Sequence, residues 1–212
     1  MFRFLLDLLL PQSPAIAQLE RMSPEEFRAT VPSLSAQPRE WVLPLFPYEH
    51  PLVKRAVWEV KYRGNTRVAA LLGALLAEEL AGWLAELAET VSLRAPLLVP
   101  IPLAPGRLRT RGWNQCELLA RETARSLGEM VELRMDILIK TKETESQTKA
   151  ESREKRMENL HGCFSVMNSR EVAGCDMVLL DDVTTTGATL LEARRTLLAC
   201  GAHSVRAITV AH

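Results

Sequence analysis

The sequence has 212 residues and is short of several features that would point to a function at once. It has no net charge: 26 Lys and Arg balance 26 Asp and Glu. Overall positive charge is therefore excluded as a grip on nucleic acid, which leaves a local patch or a partner protein as the route. There are only four cysteines, at 116, 163, 175 and 200, with no Cys-x-x-Cys spacing. That excludes a disulfide framework and a zinc site and fits small core thiols in a reducing compartment. His50, His161, His203 and His212 form no pair at metal-ligand spacing, so no metal site is read from them. The longest uncharged apolar run, Val68 to Ala77, falls well short of the ~18 residues that suggest a membrane span. Phe4 to Leu10 followed by Ala15-Ile-Ala17 imitates a signal peptide, but Asp7 interrupts the apolar stretch and an amphipathic docking helix fits it better. With 47% hydrophobic and 25% charged residues, the expectation is a globular cytoplasmic protein with no membrane attachment.

Proline and glycine punctuate the chain into three stretches. Residues 1–50 read as short helical pieces broken by prolines, a helical N-terminal subdomain ahead of a core at 51–212. Ser23-Pro-Glu-Glu26 is a helix start with a cap, a first-turn proline and a Glu three residues on. Leu52 to Tyr62 and Arg67 to Glu89 read as helices, the second with Leu72, Leu76, Leu80, Leu84 and Leu87 at helical spacing. From residue 96 strands and helices alternate: Leu97–Ile101, Leu133–Ile139, Met177–Leu180 and Ser204–Val210 as strands, Gln115–Leu127 and Leu190–Leu198 as helices. Apolar strands separated by helices predict an α/β fold, a mostly parallel twisted sheet flanked by helices. Lys140 to Asn159 is polar and charged, the composition of a mobile functional loop.

The densest chemistry lies in Asp181-Asp-Val-Thr-Thr-Thr-Gly-Ala-Thr189. A buried strand ends there at two carboxylates, then turns through hydroxyl-rich residues into a helix. Ligands of open α/β sheets bind at the carboxyl ends of strands, and a helix N-terminus suits a phosphate. Thr184, Thr185, Thr186, Gly187, Ala188 and Thr189 are candidates to hold that phosphate, with Gly187 letting the backbone come close. Two carboxylates would repel the phosphate directly, so Asp181 and Asp182 make sense one sugar away, accepting hydrogen bonds from ribose hydroxyls.

This segment resembles the phosphoribosyl-pyrophosphate (PRPP) motif of type I phosphoribosyltransferases. Further blocks narrow the resemblance to the ComF-like (competence protein F) family: Tyr48 with Lys61-Tyr-Arg-Gly64, Val99-Pro-Ile-Pro-Leu103, Arg111-Gly-Trp-Asn-Gln115, Ser146-Gln-Thr148, Arg156-Met-Glu-Asn159 and Gly162-Cys-Phe164. It implies the type I fold with a helical N-terminal hood and displacement of pyrophosphate from C1 of PRPP by a nitrogen nucleophile. Asp181, Asp182 and Arg111 would be catalytic. Arg107, Arg109, Arg111 and Lys61 would hold pyrophosphate, and Gln147, Lys149, Arg153, Arg156 and Asn159 would belong to a loop that closes over PRPP. Mg²⁺ would come bound to PRPP rather than in a site of its own. Relatives carry a four-cysteine zinc module after the Leu5-Leu-Asp-Leu-Leu-Leu-Pro11 opening, and this chain has no cysteine before Cys116, so zinc is not carried over. The nitrogenous acceptor is not identified by any motif. A PRPP-sensing or DNA-uptake accessory protein without turnover remains the alternative, and a homo-oligomer is compatible with either.

Overall fold

Strands that are apolar over most of their length need cover on both faces, and the central strands of a five-stranded parallel sheet receive it here. The structure is a computed structural model and describes residues 14–34, 39–88, 95–142 and 160–212. In chain order its elements are α1 (Pro14–Leu19), α2 (Pro24–Thr30), β1 (Val42–Phe46), α3 (Pro51–Trp58), α4 (Thr66–Ala88), β2 (Leu97–Pro100) and α5 (Pro105–Arg111). There follow α6 (Gln115–Leu127), β3 (Glu132–Leu133), β4 (Leu138–Lys140), β5 (Phe164–Val166), β6 (Asp176–Val183), α7 (Ala188–Ala199) and β7 (Ser204–Ala211).

The main sheet has the order β1-β7-β6-β2-β3, and all four pairings are parallel. Its centre is dry: Leu98, Val99, Leu179, Leu180, Ala207 and Ile208 are each buried. The step from β2 to β3 runs toward one edge and the step from β6 to β7 toward the other. Right-handed crossovers therefore place α6 and α7 on opposite faces. The crevice between them opens at the carboxyl ends of β2 and β6, where the strand order reverses.

Two sequence readings change. Residues 1–50 hold a sheet strand as well as helices, because β1 pairs with β7 from Val42↔Ala207 to Phe46↔Ala211. Pro44 looked like a breaker, yet an edge strand tolerates proline. The single strand read over Leu133–Ile139 splits in two. β3 finishes the main sheet, and β4 pairs antiparallel with β5 after a turn in which Arg134 bridges Asp136 at 2.9 Å. The segment from Ala104 to Gln115 contains a short helix, α5.

Helix α4 also differs from the reading of apolar runs. By length and composition Thr66–Glu86 could cross a membrane, because its few acids do not stop the helix. Instead, Val68, Leu72, Leu75, Leu76 and Leu80 are buried in the core. The stripe is wider than the leucine repeat alone, since Val68 and Leu75 join it.

Candidate functional site

Asp181 and Asp182 lie within β6, not beyond it, and both are buried. β2 pairs with β6 only as far as Pro100↔Leu180. The Asp182 N–H, past that last pair, donates to Asp181 Oδ1 at 2.9 Å. The same oxygen accepts from the Cys116 thiol at 3.2 Å. Asp182 Oδ2 faces Lys61 Nζ at 3.0 Å, an ion pair in which Lys61 keeps 30% and Asp182 8% of its side-chain surface exposed.

The two carboxyls ionise differently. Burial, reinforced by the charge of Asp182, pushes Asp181 up to about 8. Burial also opposes ionisation of Asp182, but the Lys61 ammonium outweighs it and holds Asp182 below the usual aspartate range. At neutral pH Asp181 therefore carries the proton and Asp182 the charge. Burial and the neighbouring Asp181 also push the Cys116 thiol well above its ordinary range, so it stays protonated.

Donor atoms of Cys116, Asp181 and Asp182 all lie within 4.8 Å of one another, a grouping that no local spacing shows. It does not fit a resident Mg²⁺: the thiol is neutral and soft, and a lysine ammonium already neutralises Asp182.

Lys61 reaches the pair because a π-helical turn, Glu59–Arg63, extends α3. Gly64 ends that turn with φ +62°, and a Cβ on it would lie 3.0 Å from Trp113 Cε2. The Trp113 indole N–H donates to the Val60 carbonyl at 3.1 Å. The Lys61–Gly64 and Arg111–Gln115 blocks are thus docked on one another. Arg111 hydrogen-bonds Gln115 and lies over the Tyr62 ring, 5.5 Å from its centroid. Asn114 caps α6: its Oδ1 accepts from Cys116 N at 3.0 Å and its Nδ2 donates to the Ile101 carbonyl at 3.0 Å. That fixes the start of α6 against the end of β2. Arg107 and Arg109 lie on α5, with Arg109 exposed.

The threonine turn begins tied to β7. Thr184 N–H donates to the Ala211 carbonyl at 3.0 Å, and the Thr184 carbonyl accepts from His212 Nδ1 at 3.0 Å. Gly187 takes φ +72°, which a side chain would strain, and opens α7. The Ala188 N–H meets Thr186 Oγ1 at 3.4 Å. The turn borders a recess of about 40 Å³ that includes Asp181, and an open groove of about 580 Å³ that includes Arg39 and His212.

Most of the sequence-derived site is therefore brought together: Asp181, Asp182, the threonine turn, Lys61 and Arg111 gather at the switch point. Lys61, expected on pyrophosphate, pairs with Asp182 in the structure without ligand. Gln147, Lys149, Arg153, Arg156 and Asn159 lie outside the described residues. Cys116 had been read only as a small core residue, and Arg39 was not singled out. For Arg39 the sequence held no signal, because only the β1–β7 pairing brings it to the turn.

A parallel sheet with an acid pair and a phosphate-type turn at its switch point defines a protein of the phosphoribosyltransferase type. The phosphoribosyl transferase domain family matches residues 114–212. The DNA utilization protein YhgH of Salmonella typhi is 31% identical over 159 residues, covering 74% of this chain and 65% of that protein. Competence protein F of Haemophilus influenzae is 33% identical over 119 residues, 55% of this chain and 51% of its own. Competence protein ComFC of Bacillus subtilis is 36% identical over 116 residues, 54% and 43%. The chain is similar to ComF-like proteins and has the phosphoribosyltransferase fold, and it spans less than two thirds of the length of each of these relatives.

Proposed function

We propose that the protein binds Mg²⁺·PRPP at the carboxyl end of β6 and transfers its phosphoribosyl group to a nitrogenous acceptor. The observation that carries this reading is the adjacency, on one buried strand end, of the Asp181–Asp182 pair and the threonine turn. The turn holds the 5′-phosphate through hydroxyls and N–H groups, and the acid pair accepts hydrogen bonds from the ribose hydroxyls. Protonated Asp181 also has a hydrogen to donate, so the pair can orient a diol. The acceptor nitrogen forms a bond to C1 as the C1–oxygen bond breaks, and pyrophosphate leaves with the bonding electrons. The charge that develops on the ring is of the oxocarbenium kind, and the Asp182 carboxylate is the negative group of the site that favours it. Arg111 neutralises the leaving group, and Lys61 joins it once PRPP displaces it from Asp182. Mg²⁺ arrives on the substrate and supplies further neutralisation of pyrophosphate when bound.

A place in DNA uptake or utilisation is a second element of the proposal, and the names of the relatives support it. The four free cysteines support a cytoplasmic setting. The test is pyrophosphate release from PRPP and Mg²⁺ by purified protein, scanned against purines, pyrimidines and amines. Release that depends on one acceptor class is expected. PRPP binding without release for any acceptor would replace transfer with PRPP sensing.

A further inference from the structure

The threonine turn has a charge problem. A phosphate monoester is close to a dianion at neutral pH, yet the recess on the turn's inner side holds no basic residue to balance it. That recess, about 40 Å³, is small beside a phosphorylated sugar. The groove on the outer side is about 580 Å³, the size of a site for a phosphorylated sugar or larger ligand. Among the described residues lining these two spaces, Arg39 is the one permanent cation.

Arg39 is held in place before any ligand arrives. Its carbonyl accepts from the Val42 N–H at 3.0 Å, closing a turn at the start of β1. Its guanidinium lies over the Trp41 ring, 5.9 Å from the centroid, and Arg194 lies 5.0 Å from the same ring. Trp41 is pinned in turn, because its carbonyl accepts from the Ala207 N–H of β7 at 2.8 Å. Arg39 Nε would be 3.5 Å from a Cβ built on Gly187 and so faces the turn's backbone. No ion pair with an acid is made by Arg39 among the described residues.

We infer that Arg39 and the threonine turn together form an anion subsite that receives the 5′-phosphate, with Arg39, contributed from the N-terminal side of β1, as its charge complement. The inference rests on the PRPP reading above and adds a binding residue to it. The segment before β1 thereby takes part in substrate binding and is more than packing for the sheet. Charge-assisted hydrogen bonds from a guanidinium suit phosphate oxygens better than the point charge of a lysine.

The experiment is calorimetric titration of the wild-type chain, Arg39→Gln and Arg39→Lys with ribose 5-phosphate, Mg²⁺·PRPP and pyrophosphate. Arg39→Gln is expected to weaken the first two by about 10- to 100-fold and pyrophosphate by less than ~2-fold, with Arg39→Lys between. Thermal melts of the variants should lie close to wild type, since the Arg39 side chain makes no hydrogen bond or ion pair in the described structure and its Trp41 contact is worth at most ~1 kcal/mol. Wild-type affinity of Arg39→Gln for ribose 5-phosphate and Mg²⁺·PRPP overturns the Arg39 subsite alone. Equal weakening toward all three ligands also overturns it, because Arg39 would then act through general charge. A wild-type chain that binds neither ribose 5-phosphate nor Mg²⁺·PRPP overturns the PRPP reading and the subsite with it. Arg39-dependent binding without pyrophosphate release leaves the subsite standing and removes only turnover.

Discussion

Replacing Asp181 by Asn should make the protein more stable while it loses ligand, and the gain should grow with pH. The Asp181 carboxyl is pushed up to about 8 by burial and by Asp182, whereas an aspartate in the unfolded chain ionises near ~3.9. Between those values the folded protein keeps a proton that the unfolded chain has released, so wild-type stability falls as pH rises through that window. Below ~3.9 both states hold the proton and the penalty is absent. Asn is neutral at every pH, and its Oδ1 can keep the Cys116 and Asp182 N–H donors. The ceiling on the gain is ~1.4 kcal/mol per pH unit above ~3.9, or ~4 kcal/mol at pH 7. Relaxation of the site, which raises its effective dielectric above that of a dry interior, reduces this to about 1–3 kcal/mol. For a chain of this size that is a rise in Tm of ~3–10 °C. Melting curves of wild type and Asp181→Asn at pH 4.5, 6 and 7.5 should diverge as pH rises. A difference that is constant across the series, or that shrinks toward pH 7.5, would refute the ionisation argument.

Three further outcomes follow from the same geometry. Lys61→Met should strand the buried Asp182 charge and cost about 2–4 kcal/mol at pH 7. Asp182 is held low, so this stabilisation is full above ~4 and is lost as pH falls from there through the lower folded value; urea denaturation should show the full deficit at pH 7 and a deficit that shrinks steadily as pH is lowered below ~4. Thr186→Val removes a hydroxyl from the turn and should weaken Mg²⁺·PRPP ~10-fold while stability changes by less than ~1 kcal/mol. Elemental analysis of the purified protein should find no stoichiometric zinc, as the sequence has no cysteine before Cys116; one zinc per chain would show that another ligand set replaces the missing module.

Much of the core and the site was legible because the informative residues are close in sequence. Asp181 to Thr189 carries acid pair, turn and helix start in one run, so its place at a strand end could be read without knowing the sheet order. The helix Gln115–Leu127 was legible for a similar reason, with its cap at Asn114 and its C-terminal glycine at Gly128. What could not be read depends on pairing across the chain. Pro44 hid β1, since nothing local distinguishes an edge strand from a broken helix. Cys116 and Asp181 are separated by 65 residues and meet only because α6 packs over the end of β6. The burial of both aspartates was missed as well: the strand was expected to end before them, but the β6–β7 ladder continues to Val183↔Ala211. A change at either aspartate therefore alters stability as well as binding.

The central claim is that the carboxyl end of β6 is a PRPP site, and calorimetric titration of Mg²⁺·PRPP into wild type, Asp182→Asn and Thr186→Val tests it most directly. The account predicts saturable binding of one ligand per chain, weakened ~10-fold or more in each variant whose fold is confirmed by its melting curve. No binding to the wild-type chain, or wild-type affinity in both folded variants, would contradict it.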